Sequence, residues 1–114
     1  NGLNAMTAAM YLATIGKIGI REIAQQNHDK AAYLKSGLEN AGFTSAFSTP
    51  FFNEFVMKAP KGFDQKRASL IQNQCIFAGL DISSFYPDLK DHYLFCATET
   101  ISGKDIDQLV KEVK

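Results

Sequence analysis

Polar residues at the ends of two apolar stretches are the positions in this chain best suited to form part of a binding site. Asn53 and Glu54 lie between aromatic residues, and Glu99 follows the apolar run Leu94–Ala97. An amide or carboxylate among apolar groups must be hydrated, paired or directed into a cleft. A structural hydrogen-bonding role is the more common explanation, and a place at a cleft between domains or subunits is the alternative.

The aromatic residues near these positions fall into two groups. Phe51 and Phe52 precede Asn53, whereas Phe85 and Tyr86 lie in a second loop. Such residues pack in a core or an interface more often than they bind a ligand, but an exposed aromatic patch would mark a contact surface. The candidate cleft or interface residues are therefore Phe51, Phe52, Asn53, Glu54, Phe85, Tyr86 and Glu99.

The other residues with catalytic potential lack a supporting pattern. His28 is expected on the hydrated side of a helix, and His92 and Asp91 would point to opposite faces of a strand. Cys75 and Cys96 lie in apolar surroundings, where a reduced, buried thiol is expected. Zinc-ligand spacing and a phosphate-binding glycine loop are both absent. We therefore predict no catalytic, cofactor-binding or metal-binding residue in this chain.

Hydrophobic periodicity predicts the elements that must position these residues. Glycines interrupt or end three of the predicted helices, at Gly16 and Gly19, at Gly42 and at Gly79. In chain order the predicted elements are a helix over Leu3–Ile15, a helix over Ile20–Ala41, strands over Phe43–Phe47 and Phe55–Ala59, a helix over Asp64–Ala78, strands over Leu80–Ile82 and His92–Thr98, and a helix that begins after Ser102.

This order of elements predicts an α+β fold with an antiparallel or mixed sheet of about four short strands, covered on one face by helices. The third helix would be capped by Asp64 and would direct Ala68, Ile71, Cys75 and Ala78 into the core. The strand His92–Thr98 is apolar on both faces, which predicts a central, covered strand. Ser102 and Asp105 resemble a capping box at the start of the last helix, whose inner stripe would be Ile106, Leu109, Val110 and Val113.

Length and composition indicate one ordinary globular domain over residues 1–114. Hydrophobic residues make up 46% of the chain and charged residues 21%, values that argue against disorder. The 12 basic and 12 acidic residues cancel, so the charge pattern of nucleic-acid binding is absent. We see no apolar run long enough to span a membrane and no signal-peptide pattern, so a cytoplasmic location is expected. A start at Asn1 without methionine suggests a C-terminal fragment of a longer chain whose large domain is missing.

Several stretches, taken together, resemble one enzyme family. They are the opening AMTAAMYLATIGKIGIREIA, then NHDKAAYLKSGLENAGF, PFFNEFVMKAP and FAGLDISSFYPDLKDHYLFCATET, and the closing SGKDIDQLVKEV. The order of elements looks like the small C-terminal domain of fold-type-I pyridoxal-phosphate enzymes. More narrowly, these stretches resemble the end of subunit 1 of the glycine cleavage system P-protein, the decarboxylating glycine dehydrogenase, over essentially all 114 residues.

The resemblance implies a supporting role in a larger enzyme. The whole enzyme of that family uses pyridoxal phosphate to decarboxylate glycine and passes the aminomethyl group to the lipoyl group of H-protein. Where the enzyme is split, two homologous subunits form a heterotetramer, and subunit 2 carries the cofactor-binding lysine. This chain would then bind no cofactor itself, would be inactive alone, and would have subunit 2 and lipoylated H-protein as partners.

The sequence leaves two alternative functions open. Another fold-type-I enzyme, such as an aminotransferase or cysteine desulfurase, would use the same small domain but carry its own cofactor lysine. A non-enzymatic α+β ligand-binding module would instead bind a small molecule as an isolated domain.

Overall fold

The computed structural model describes residues 1–114 and has the α+β architecture that the periodicity predicts. Three helices and four strands alternate along the chain, and the α+β class is confirmed. The elements are α1 (Gly2–Asn40), β1 (Thr44–Ser45), β2 (Glu54–Lys58), α2 (Phe63–Gln74), β3 (Leu80–Asp81), β4 (His92–Cys96) and α3 (Gly103–Val113).

The sheet is antiparallel throughout, with strand order β1-β2-β4-β3. The two longest strands, β2 and β4, form its centre, and their register runs from Glu54 opposite Cys96 to Lys58 opposite His92. The start of β2 and the end of β4 therefore lie at one end of the sheet. The connection from β3 to β4 lies at the other end, because β4 begins there at His92.

One face of the sheet carries the core. The buried residues of the two central strands are Phe55 and Met57 in β2 and Tyr93 and Phe95 in β4. In each strand they are two positions apart, so their side chains lie on the same face of the sheet. The helices cover this face with Ala31, Leu34, Leu38, Leu70, Ile106 and Val113. Glu54 and Cys96 point to the opposite face and are exposed. The prediction that β4 is a central strand of a sheet covered on one face by helices is therefore confirmed.

Helix α1 contains one break, at Gly16. The backbone of Gly16 has φ 67° and ψ −179°, a conformation that is strained for any residue with a Cβ. The predicted interruption is therefore confirmed at Gly16, whereas Gly19 continues the helix. Beyond the break, α1 follows the predicted amphipathic pattern and buries Ala31, Leu34 and Leu38.

Helix α2 differs from its prediction at both ends. Its N-cap is Gly62, and Asp64 lies in the first turn without capping the helix. The helix ends at Gln74, four residues before the predicted Ala78, because Cys75 adopts a left-handed conformation with φ 55°.

The new ends of α2 also change its buried side. The residues it buries are Phe63 and Leu70, seven positions and two turns apart. Of the predicted stripe, Ala68 and Cys75 are exposed and Ile71 is partly buried. Ala78 is buried as predicted, although it lies beyond the end of the helix. Cys96, like Cys75, is exposed, so the expected burial of the two cysteines is wrong.

The start of α3 confirms the predicted capping box. The Ser102 Oγ accepts a hydrogen bond from the Asp105 N–H at 3.2 Å, and the Asp105 Oδ2 accepts one from the Ser102 N–H at 3.1 Å. Of the predicted inner stripe, Ile106 and Val113 are buried in the core. Leu109 and Val110 pack against that core and are partly buried.

Replacing Ser102 with alanine should lower the free energy of unfolding by about 1 kcal/mol, because the N–H of Asp105 then loses its side-chain acceptor. Urea unfolding of the two proteins at pH 7 measures the difference. Ser102→Thr keeps the hydroxyl and is the matched control. An alanine variant as stable as the threonine variant would contradict the assigned role of the cap.

The same contact adds a pH dependence. Hydrogen bonds from the Ser102 hydroxyl and N–H lower the pKa of the Asp105 carboxyl below its ordinary value. A carboxyl with a depressed folded pKa stabilises the fold above its unfolded pKa, about 4 for aspartate, and this contribution disappears as the pH falls through the folded value. The stability difference between the wild type and Asp105→Asn should therefore be present at pH 7 and shrink in acid.

None of the three helices combines the length and the apolar character that a bilayer-crossing helix needs.

Candidate functional site

The connection between β1 and β2 folds against α1 through aromatic contacts. The Phe51 ring stacks on the His28 ring with centroids 6.0 Å apart and an interplanar angle of 16°. Phe52 contacts the same histidine at 6.5 Å, and Phe51 also lies 5.2 Å from Phe55 of β2. Phe51 is thus held between the helix and the sheet.

A second residue of α1 supports the same ring. The Lys35 Nζ lies 5.8 Å from the centroid of Phe51, within the range of a cation–π contact. His28 and Lys35 are seven residues apart, so two turns of helix bring them to one side of α1. The Lys35 ammonium also forms an ion pair with Glu39 at 2.8 Å.

Two adjoining open cavities lie beside Phe51, with volumes of about 390 Å³ and about 300 Å³. The first is also lined by His28, and the second extends to Glu54 and Leu94. Their rim mixes hydroxyl, aromatic and cationic groups, so it could contact both polar and apolar groups of a neighbour. The residues shared by both cavities are Lys35, Ser45, Phe47, Thr49, Pro50 and Phe51.

Asn53 and Glu54 lie where β2 begins beside the end of β4. The Asn53 carbonyl accepts a hydrogen bond from the Ala97 N–H at 3.1 Å, and its Nδ2 lies 3.8 Å from the Cys96 Sγ. Glu54 is exposed and paired in register with Cys96. Although Cys96 is exposed, partial desolvation of its sulfur by neighbouring atoms, and then the charge of Glu54, raise the pKa of the thiol. This cysteine is therefore a poor nucleophile at neutral pH.

Glu99 is fixed by its backbone. Its N–H donates to the Asn27 Oδ1 at 2.7 Å, and its carbonyl accepts from the Lys30 Nζ at 2.6 Å. Both partners lie on α1 and are partly buried. The segment between β4 and α3 is therefore tied to the middle of the long helix.

Replacing Asn27 with leucine should lower the free energy of unfolding by about 1 kcal/mol, because the Glu99 N–H loses its acceptor in a partly buried position. Amide exchange at Glu99 should accelerate in the same variant, and both quantities can be measured on one sample. Gln26→Leu makes a similar change at the exposed neighbouring position and serves as the control. Equal stability of the two variants would show that the Asn27–Glu99 contact contributes nothing.

Phe85 and Tyr86 lie in the connection between β3 and β4, at the end of the sheet opposite Glu54 and Cys96. Their side chains are 69% and 60% exposed. The backbone N–H groups of both residues donate to the Ile82 carbonyl, at 3.0 Å and 2.9 Å. The structure therefore brings Phe51, Phe52, Asn53 and Glu54 together at one end of the sheet and holds the other aromatic pair at the far end.

Four residues of α1 also belong to the candidate site, although their sequence pattern assigned none of them to it. They are Asn27, His28, Lys30 and Lys35. His28 is exposed, as expected for a hydrated residue of the helix surface, and one face of its ring also stacks on Phe51. A signal for Asn27 was present, because it is a polar residue within the apolar stripe of α1. No group of three or more histidine, cysteine or acidic residues is arranged to hold a metal ion.

Comparison with family models gives one match. The model described as glycine cleavage system P-protein matches residues 1–113.

Comparison with known proteins gives similar sequences in several bacteria. A probable glycine dehydrogenase (decarboxylating) subunit 1 of Desulfotalea psychrophila is 48% identical over 113 residues, which are 99% of this chain and 25% of that protein. Proteins of the same description from Halalkalibacterium halodurans and Thermotoga maritima are 42% and 38% identical over 97% and 96% of this chain. The chain thus spans about a quarter of the length of these relatives.

A solved structure has the same fold. The crystal structure of glycine decarboxylase (P-protein) of the glycine cleavage system, in an inhibitor-bound form, superimposes with a TM-score of 0.83 and 30% sequence identity. The match covers 97% of this chain and 25% of that one.

Proposed function

The chain belongs to the glycine cleavage system P-protein family, and we propose that it is the C-terminal domain of subunit 1 of a glycine decarboxylase. The observation that carries this proposal is the family match over residues 1–113, supported by 48% identity to a relative described as subunit 1. In this role the parent enzyme decarboxylates glycine and passes the aminomethyl group to the lipoyl group of H-protein. The chain itself contributes structure to that enzyme.

Pyridoxal phosphate, when bound in such an enzyme, supplies an electron sink for the carbanion left by decarboxylation. Two lysines of α1 near the candidate site, Lys30 and Lys35, do not fit the role of a cofactor-binding lysine. The Lys35 ammonium is paired with Glu39, and the Lys30 ammonium donates to the Glu99 carbonyl. A Schiff-base lysine instead needs a free amine in a desolvated site. The cofactor-binding lysine therefore belongs, in this proposal, to the partner, subunit 2.

In this proposal the candidate residues contribute by packing against neighbouring surfaces of the enzyme. Phe51 lines both open cavities, and Glu54 lines the second. Phe52 and Asn53 lie between these two residues in the chain. Phe85 and Tyr86 present exposed rings at the far end of the sheet, and Glu99 belongs to the segment fastened to α1. Because the two aromatic loops lie at opposite ends, they pack against two different neighbouring surfaces of the enzyme, either of the parent chain or of the partner subunit.

The packing role can be tested in full-length subunit 1 assembled with subunit 2. Phe51→Ala and Phe85→Ala, singly and together, should each weaken assembly or lower glycine-dependent release of carbon dioxide. Native mass spectrometry and a decarboxylation assay measure these effects. Phe77→Ala removes a ring that is 75% exposed outside both loops and serves as the control. Unchanged assembly and unchanged activity in the double variant would overturn the packing role.

The family function is tested on the full-length parent protein purified with its natural partners. Visible absorbance detects the cofactor, and mass spectrometry after borohydride reduction maps its lysine adduct. An adduct on a partner of similar size supports the subunit 1 assignment. An adduct on the parent itself, in a homo-oligomer, would move the assignment to an aminotransferase-like enzyme. Absence of cofactor from both proteins would contradict the enzyme assignment.

A further inference from the structure

Arg67 of α2 has a fixed guanidinium group whose two terminal nitrogens are unpaired. Its Nε donates a hydrogen bond to the Gly79 carbonyl at 2.9 Å, and its Cζ lies 5.7 Å from the centroid of the Tyr93 ring. These contacts orient the planar group, but no carboxylate forms an ion pair with it. Because every fully buried polar side-chain atom has a partner, the unpaired terminal nitrogens are accessible from outside and are free to bind an anion.

An acidic residue near Arg67 is already occupied. The Asp81 Oδ1 accepts a hydrogen bond from the Ser83 N–H at 2.8 Å. Hydrogen bonding from Ser83 lowers the pKa of Asp81, and the charge of Arg67 contributes to a lesser extent. Asp81 therefore stabilises its own turn and leaves the guanidinium without a direct counter-ion.

An open cavity of about 380 Å³ lies beside this guanidinium, at the edge of the sheet. Strand β3 pairs with Tyr93 and Leu94 only, whereas β4 continues to Cys96. The edge of β4 beyond Leu94 is therefore not covered by a strand. Arg67 is the one charged residue that lines the cavity, and the leucines among its walls include Leu80 and Leu94.

A second cavity, of about 320 Å³, adjoins the first and extends its apolar wall. The two cavities share Leu34, Cys96 and Leu109. Arg67 lines only the first cavity, and Asp105, the carboxylate of the capping box, lines only the second. The combined space thus has one cation in its first part, a continuous apolar wall and one anion in its second part.

We propose that these two cavities bind a small amphipathic monocarboxylate. Its carboxylate pairs with the terminal nitrogens of Arg67, because the planar fork of an arginine matches a carboxylate through two parallel hydrogen bonds. Its hydrocarbon body lies along the apolar wall, and the cavity volumes are in the range of small-molecule sites. The inference does not depend on the proposed role in glycine decarboxylation.

The same arrangement disfavours other anions. A phosphate dianion would keep an unneutralised charge beside leucine side chains, since the first cavity offers a single cation. A dicarboxylate would bring its second charge to the apolar wall or towards Asp105. The site therefore selects one negative charge on an otherwise apolar molecule.

The proposal is tested on the full-length parent protein by isothermal titration calorimetry with hexanoate. A ligand of this size should bind with a Kd on the order of 1 mM. The comparison ligands are 1-hexanol, hexylamine and adipate, which have a six-carbon chain with no charge, a positive charge and a second carboxylate. Each should bind at least about tenfold more weakly, because the charge-assisted pair is lost or a second charge is buried.

Variants of Arg67 test the position of the carboxylate. Arg67→Gln should weaken hexanoate binding at least about tenfold. Arg67→Lys keeps the charge without the fork and should give an intermediate affinity. Arg21→Gln removes the only other arginine of the chain, which is exposed on α1, and should leave the affinity unchanged.

Alkylation of Cys96 tests the position of the hydrocarbon body. Cys96 is exposed and lines both cavities, so saturating hexanoate should slow its reaction with iodoacetamide. Peptide mapping by mass spectrometry measures the rate, and saturating adipate should have little effect.

The contrary results are equally specific. If 1-hexanol binds as well as hexanoate, the cavities take up apolar molecules without recognising a carboxylate. If Arg67→Gln binds hexanoate as well as the wild type, the carboxylate lies elsewhere. Absence of hexanoate binding overturns the proposal, and an unreactive Cys96 in the same protein would show that another part of the enzyme fills the cavities. If the Arg67 variants fail to fold, the ligand series on the wild type still decides. No step uses glycine, so failure of the proposed function would leave these results unaffected.

Discussion

Replacing Leu38 with alanine should lower the free energy of unfolding of the 114-residue chain by about 2–5 kcal/mol. Leu38 is fully buried, and it belongs to the cluster in which α1 meets the sheet and α3. The substitution removes buried methyl groups and leaves a cavity that the surrounding core residues can fill only partly. Equilibrium unfolding in urea measures the change.

The matched control for Leu38 is Leu3→Ala. Leu3 belongs to the same helix but is 77% exposed, and exposed substitutions usually change the free energy of unfolding by less than about 0.5 kcal/mol. A loss in the Leu38 variant no larger than that in the Leu3 variant would mean that α1 does not pack on the sheet as described.

Replacing Gly37 with alanine should also destabilise the chain, by about 1–3 kcal/mol, although alanine is the better helix former. A Cβ at position 37 would lie 2.6 Å from the Val110 Cγ2 and 3.4 Å from its Cγ1. Gly37 thus lets α1 and α3 approach closely, and a methyl group there must push Val110 away. Helix propensity alone would make the alanine variant more stable than the wild type. A lower free energy of unfolding would therefore already indicate the clash with Val110.

A double-mutant cycle separates the clash from other effects. Val110→Ala removes both γ-carbons that a new Cβ would meet, so Gly37→Ala should be much less harmful in that background than in the wild type. The four free energies of unfolding give the coupling. Additive losses would indicate that the two helices do not touch at this point.

The parts of the fold that depend on residues close together in the chain were predictable from the sequence. The capping box is an example, because Ser102 and Asp105 satisfy each other's backbone groups within one turn. The amphipathic stripe of α1, which includes Ala31, Leu34 and Leu38, is another. The end of α2 was not predictable, because Cys75 takes a left-handed conformation that is usually reserved for glycine. The prediction that a glycine ends this helix therefore extended α2 to Ala78, the residue before Gly79.

The candidate site depended on contacts that local patterns do not contain. Asn27 and Glu99 are 72 positions apart, and only the fold brings the amide to the Glu99 N–H. His28 and Lys35 become part of the candidate site because the β1–β2 connection places the Phe51 ring against both of them. The apolar stripe of α1 did contain Asn27, and a polar residue in such a stripe predicts a buried acceptor. The family assignment came instead from the combination of motifs, since no residue cluster in this chain specifies a reaction.

The break at Gly16 has a geometric consequence. A single residue separates residues 2–15 from the part of α1 that carries Ala31, Leu34 and Leu38. The two backbone torsion angles of Gly16 therefore set the direction of residues 2–15 relative to the sheet. Rotation about these two bonds changes that direction without moving a residue of the core, because residues 1–14 are all exposed.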